Sequence, residues 1–156
     1  MSVVVNALKT WLIPIRYGVE RWSYTLQRVS GVALTLYFVA HVVETGNVVG
    51  GAGVWTLPPY EYAERVWNET KAFLANPLFD AGLAVLAFLI FFHTVNGFRL
   101  FLTHLGLTLG KPGRPEYPYR AASMTVAQKA LFWISVVLAV AALVYAVDVF
   151  FKVLQI

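Results

Sequence analysis

Three long apolar runs decide what this chain can fold into. They cover about Val29–Val43, extended at its start by the uncharged Ser23–Gln27, then about Leu78–Phe98, and about Val126–Val147. A helix rises 1.5 Å per residue, so ~20 mainly apolar residues cross the hydrocarbon core of a bilayer. Such runs could instead bury one another in a water-soluble core; their length decides between the two, and composition agrees. Of the 156 residues, 59% are hydrophobic and only 13% charged, against about 45–50% and about 25% in soluble domains. The fold class that follows is an all-α membrane protein with three transmembrane helices, forming a single domain over 1–156. Arg28 interrupts the first run one turn inside its end, where a long side chain snorkels to the surface.

The expected helices run about 23–45, 78–104 and 125–152, joined by loops of about 46–76 and 105–124. Charge gives them a direction. Residues 1–30 carry Lys9, Arg16, Arg21 and Arg28 against Glu20, and the second loop carries Lys111, Arg114 and Arg120 against Glu116. The first loop carries Glu44, Glu61, Glu64 and Glu69 against Arg65 and Lys71. Cytoplasmic loops hold the excess of Lys and Arg, so the N-terminus and second loop are expected in the cytosol and the C-terminus outside. The net charge of +4 is then a matter of topology, and no nucleic-acid partner is expected.

Local signals fill in the connections. Trp11, Pro14, Tyr17 and Trp22 suit a segment at the cytosolic interface, where aromatic side chains collect. LPPYEYAERVWNETKAFL reads as a short amphipathic helix after a Pro pair, NPLFD introduces the second long helix, and Ser123 or Thr125 caps the third. No cleavable signal pattern opens the chain, so the first span is expected to serve as its own membrane signal. With no cysteine and two methionines, disulfides, thiolate metal sites and protein-bound iron–sulfur clusters are excluded from these residues. A redox centre here would use histidine.

The polar residues within the helices are few and patterned. Ser23, Gln27, Ser30, His41 and Thr45 recur at steps of three and four on the first helix, which places them on one face. On the second helix His93, Gly97, Leu100 and His104 share a face, with Asn96 beside them. Intramembrane Ser and Thr usually bond their own helix or a neighbour, and Gly97 serves equally well for helix packing or for the approach of a flat ligand. Histidine is different, because ionisable groups are costly in lipid and mark function by default. A neutral imidazole is an axial ligand for haem iron or a buried hydrogen-bonding group between helices. His41 and His93 stand open between these roles, while His104 at the boundary suits solvent or a propionate contact. The two candidates lie at different depths, and three histidines cannot supply both axial ligands to two irons.

Two motifs resemble a known family. LQRVSG, Leu26 to Gly31, is similar to the H-R-x-S/T-G signature on the first membrane helix of succinate dehydrogenase cytochrome b subunits. HTVNGFR, His93 to Arg99, is similar to the second-helix signature H-x-x-x-G-x-R of the same family. The resemblance implies that His93 ligates haem b, with Arg28 near the quinone head group and haem propionates and Ser30 at the signature Ser/Thr. Gly97 would make room for the porphyrin or a helix, and Arg99 and His104 would lie toward propionates. Gln27 departs from the family's His, and Tyr24 stands where a quinone-contacting serine falls, with Ser23 one position earlier. His41 resembles the first-helix ligand of two-haem members, which implies two haems shared with a second anchor subunit.

The family further implies a respiratory complex II, with FAD in a flavoprotein subunit and the clusters in an iron–sulfur subunit. A second three-helix anchor completes the bundle, quinone is the substrate of this part, and succinate is oxidised elsewhere as a step of the tricarboxylic acid cycle. The expected location is the cytoplasmic (inner) membrane of a prokaryote. A quinol:fumarate reductase anchor and a haemless structural anchor or small transporter subunit are the alternatives.

Overall fold

A computed structural model describes residues 3–6, 18–48, 60–110 and 124–153 of the chain. Lys9, Trp11, Pro14, Arg16, Tyr17, Lys111, Arg114, Glu116, Arg120 and Ser123 lie outside the described residues. Four helices of eight or more residues organise the described part: α1 (Gly18–Val48), α2 (Tyr60–Leu74), α3 (Pro77–His104) and α4 (Val126–Phe151). Three of them, α1, α3 and α4, are long and apolar enough to cross a membrane. The class is all-helical, with three candidate spans.

Each helix end has a local cause. Asn76 caps α3, its side chain accepting from the Leu78 amide at 2.9 Å, and Pro77 takes the first position, where no intrahelical N–H is needed. Beyond His104, Gly106 adopts a φ of 80° and its amide bonds the Thr103 carbonyl at 3.0 Å, which turns the chain out of the helix. Thr125, rather than Ser123, is the cap seen on α4, accepting from the Gln128 amide at 3.3 Å. α1 starts five residues before the expected position 23 because Gly18, at a φ of 79°, lets the chain enter the helix there. α2 forms directly after the Pro pair, is amphipathic and buries none of its residues within the chain.

α3 is the middle helix, with α4 packed extensively along it, α1 on another side, and α2 against α1. The long helices alternate in direction. The start of α1, the end of α3 and the start of α4 therefore share one end of the molecule, called here the near end. Glu20 of α1 and Lys129 of α4 meet there at 3.7 Å. The α3–α4 seam is apolar at its centre. Phe92 is fully buried between Phe88, stacked at 6.2 Å, and Phe132, edge-on at 6.1 Å, with Ala139 completing the cluster. Only 11%, 11% and 22% of the most apolar windows of α1, α3 and α4 are buried within the chain. Most of the helical surface is thus left for lipid or further helices.

Phe92→Ala tests this centre. In lipid the transfer part of the usual large-to-small cost falls away, since acyl chains solvate the ring too, and the cavity part remains. The expected loss is about 2 kcal/mol, read as a lower thermal midpoint of the chain in its purified assembly.

Candidate functional site

The α1–α3 seam is polar where the α3–α4 seam is apolar. Ser23, Gln27 and Ser30 on α1 face His93, Asn96 and Arg99 on α3, each set spaced by three or four residues. Asn96 is wholly buried, Ser30 is 1% exposed, Ser23 3% and Arg99 5%. Hydrocarbon offers no substitute partner for such groups, so the seam has to satisfy them from within.

It does so as a chain of hydrogen bonds. Arg99 Nη2 donates to Ser23 Oγ at 2.7 Å and Arg99 Nε to Asn96 Oδ1 at 2.9 Å. Ser23 Oγ in turn donates to Asn96 Oδ1 at 3.4 Å. Asn96 Nδ2 donates to Gln27 Oε1 at 2.7 Å. The Gln27 amide nitrogen then faces His93, lying 3.4 Å from both its backbone oxygen and ring Nε2. On the opposite edge of the ring, Nδ1 is 3.0 Å from Ser30 Oγ, whose hydroxyl donates to the Gln27 carbonyl at 3.1 Å. His93 is thereby held at both nitrogens.

Two glycines allow the approach. A methyl group on Gly31 would stand 3.0 Å from His93 Cε1, tighter than ordinary contact, so the bare backbone of α1 is what lets the ring lie against it. A methyl group on Gly97 would stand 3.4 Å from the Gln27 amide nitrogen.

The seam takes up several of the expected site residues. At Gly97, where room for a porphyrin or a helix was expected, the neighbouring helix approaches through the Gln27 amide. Arg99 does not reach outward to the boundary; it turns into the seam, where Ser23 and Asn96 accept from it. Ser23, expected as a quinone contact, is buried and already engaged by Arg99. The polar groups that α3 turns toward α1 are His93, Asn96 and Arg99. His104 is exposed at the near end, its Nδ1 2.8 Å from the Leu100 carbonyl.

Arg28 and Tyr24 point the other way, away from α3. Both are exposed, and the Arg28 guanidinium lies 4.3 Å over the Tyr24 ring. Beside them an open groove of 480 Å³ is lined by Gln27, Arg28, Gly31, Val32, Thr35 and Leu36. It flanks the α1 backbone against which the His93 ring lies.

His41 belongs to a separate place. From Gly31 to His41 the α1 axis rises ~15 Å, toward the end opposite the near end. There α1, α2 and α3 part around a mainly apolar cavity of 620 Å³, lined by Tyr37, His41, Glu44, Thr45, Trp67 and Leu83 among others. The His41 ring stacks on Tyr37 at 5.6 Å and 7°. Thr45 bonds the carbonyl of His41 at 2.7 Å, the bland role open to it from the start. Among the described residues no group of three or more His, Cys, Asp or Glu converges.

Reading the residues alone missed the roles of Asn96, Gln27 and Gly31. The i, i+3, i+6 spacing of His93, Asn96 and Arg99 was the available signal. Asn96→Leu removes the link between Arg99 and Gln27. With interhelical bonds in membranes worth about 0.6–1.7 kcal/mol each, losing two should cost about 1–3 kcal/mol. Thermal unfolding of the assembly measures it, and an unchanged midpoint would show that the seam is not load-sharing.

The chain is similar over residues 6–144 to the family described as succinate dehydrogenase/fumarate reductase transmembrane subunit. No curated protein and no solved structure matches it. The family match takes in all of α1, α2 and α3, with the polar seam and the cavity beside His41, and most of α4. This chain belongs to the succinate dehydrogenase/fumarate reductase transmembrane subunit family, and so is a multi-helix membrane anchor of one of those two complexes.

Proposed function

We propose that the chain is the cytochrome b anchor of a succinate:quinone oxidoreductase. In this reading it holds haem b at His93 and a second haem at His41, and helps form the site at which quinone takes electrons from the iron–sulfur subunit. The observation that carries the reading is the state of His93. It is an imidazole within a membrane span, with Nδ1 3.0 Å from Ser30 Oγ and one ring edge against the bare backbone of Gly31. A haem-ligating histidine has this donor arrangement, one nitrogen bonded to a protein acceptor and the other turned to the metal. The Gln27 amide nitrogen lies 3.4 Å from Nε2. His41 fits as a second site because it lines a cavity whose 620 Å³ falls within the usual range for ligand pockets.

When bound, the haem groups supply one-electron carriers inside the bilayer. This chain's residues do the rest of the work proposed for it. Ser30 orients His93, Gly31 gives the ring room, and Tyr37 stacks on His41. Arg28, exposed at the groove and steadied by Tyr24, offers a fixed positive charge where negative charge grows on a quinone oxygen or stands on a propionate. Three histidines are too few for two bis-histidine irons, so the remaining ligands would come from the second anchor subunit. The near end, with Arg21, Arg28, His104 and the basic connection after it, is proposed to face the cytosol of a prokaryotic cytoplasmic membrane. A flavoprotein and an iron–sulfur subunit would dock there.

The competing reading is a haemless structural anchor, supported by the fact that both nitrogens of His93 already have partners within the chain. A reduced-minus-oxidised spectrum of the purified complex separates the two. A b-type band is expected, and its absence would sink the haem assignment. His93→Leu and His41→Leu should each remove about half of the haem; full haem content in His41→Leu would leave a single-haem protein. Arg28→Ala is expected to slow quinone reduction by about tenfold or more while sparing succinate oxidation with an artificial acceptor. Equal loss of both activities would count against Arg28 at the quinone.

A further inference from the structure

We infer that α2 is an interfacial helix, seated on the bilayer at the end opposite the near end, with the edge formed by Tyr62 and Phe73 sunk into the acyl chains of that leaflet. The inference needs neither haem nor quinone and stands apart from the role of His93.

α2 sorts its residues into zones. At the helical period, Glu61, Glu64, Arg65, Asn68, Glu69 and Lys71 fall on one half of the helix, and no charged residue falls on the other. Down the middle of the apolar half run Ala63, Val66, Thr70 and Leu74, and these four are the half-buried residues of α2. Thr70 and Leu74 line the cavity beside His41, so the middle of the apolar half packs within the chain. Its edges do not. Tyr62 and Phe73 stand on one edge, Tyr60 and Trp67 on the other, and all four are exposed. An apolar half wider than the packing it serves, with Tyr and Trp along its margins, is the pattern of a helix lying in the headgroup layer.

The edge of Tyr62 and Phe73 continues a surface that already belongs to a span. Phe73 is 70% exposed, and its ring lies 5.2 Å from that of Phe79, on the first turn of α3. Leu78, beside Phe79, is 76% exposed. Ala75 and Asn76 alone separate the two helices, and the Asn76 amide bonds the Leu74 carbonyl at 2.7 Å. Three residue steps reach at most ~11 Å, so α2 cannot stand away from the end of the span. Acyl chains that cover Leu78 and Phe79 therefore reach Phe73 without crossing a polar gap.

Charge narrows the partner. Glu61, Glu64 and Glu69 against Arg65 and Lys71 leave α2 with one net negative charge. Arg65 is engaged on the helix itself, its Nε 4.0 Å from Glu69 Oε1 and its guanidinium 5.5 Å over the Tyr62 ring. α2 thus offers no positive patch to anionic headgroups. Its seating is apolar, and a zwitterionic leaflet suffices. Held this way, α2 keeps one wall of the cavity beside His41 in place from the lipid side.

Spin-label EPR on the whole complex in phosphatidylcholine nanodiscs tests this. The chain has no cysteine, so the wild-type complex gives the labelling background of the other subunits. Nitroxides at Tyr62→Cys and Phe73→Cys are compared with nitroxides at Glu64→Cys and Asn68→Cys. Oxygen concentrates among acyl chains, and a nickel chelate stays in water. The ratio of oxygen to nickel collisions should be about tenfold higher at the first pair than at the second, and unchanged between ~0.05 and ~1 M salt. Equal ratios at all four positions would put the edge in water and overturn the inference. Few collisions with either reagent at Tyr62→Cys and Phe73→Cys would show that a protein surface covers the edge, and would overturn it too. So would a ratio that falls as salt rises, since charge would then hold the helix. The two edge positions lie about three turns apart, so either one decides should the other substitution prevent assembly.

Discussion

A donor-only group inside lipid is the constraint on which the α1–α3 pair depends. Arg99 is 5% exposed on a membrane-spanning helix, where an unpartnered guanidinium is among the costliest side chains. Every hydrogen it directs into the seam needs an oxygen, and α1 supplies one from Ser23 while α3 supplies another from Asn96. Once those oxygens are committed, the rest of the row has little freedom. Register between the two helices follows as well, since sliding α1 by one residue would move Ser23, Gln27 and Ser30 off their partners together.

The two seams of α3 divide the labour. Against α4 it presents Phe88 and Phe92, whose packing has shape but little direction. At the near end that apolar seam finishes in a small polar cluster, with Gln128 Nε2 3.1 Å from the Thr108 carbonyl and Thr103 Oγ1 2.8 Å from Thr108 Oγ1. Against α1 it presents groups that bond only at set angles. His93 sits next to Phe92 in sequence, so the chemical seam is braced from behind by the largest fully buried side chain of the core. Neighbouring positions on one helix thus serve stiffness on one side and chemistry on the other.

How much of this could be read from residues varied with the physics involved. The spans were legible because lipid imposes a minimum length that few soluble helices share, and α2 was legible from a Pro pair followed by an amphipathic period. The stripe Ser23, Gln27, Ser30 was visible as one face, and it is the face set against α3. What the stripe would meet was not visible. Arg99 near the end of its helix reads as a snorkelling side chain, since nothing local says that Ser23 of another helix waits for it. Gly97 reads as room for a flat ligand or a helix alike, because the side chain that meets it, Gln27, arrives from the neighbouring helix. Gln27 looked like a departure from the family's histidine; in the structure it is the link between Asn96 and His93. Such roles belong to pairs of helices and have no signature within either.

The seam also has a gradient. It is tightly bonded from Ser23 to Gly31 and opens beyond Leu34 into the cavity beside His41. The two histidine environments share no side chain and stand ~15 Å apart along α1. Free-energy effects at sites so separated usually sum, whereas substitutions within the Arg99-to-Ser30 row share partners and should combine non-additively. Thermodynamically the chain is two nearly independent modules on one pair of helices. Evolution, or an engineer, can retune the environment of His41 while leaving that of His93 almost untouched.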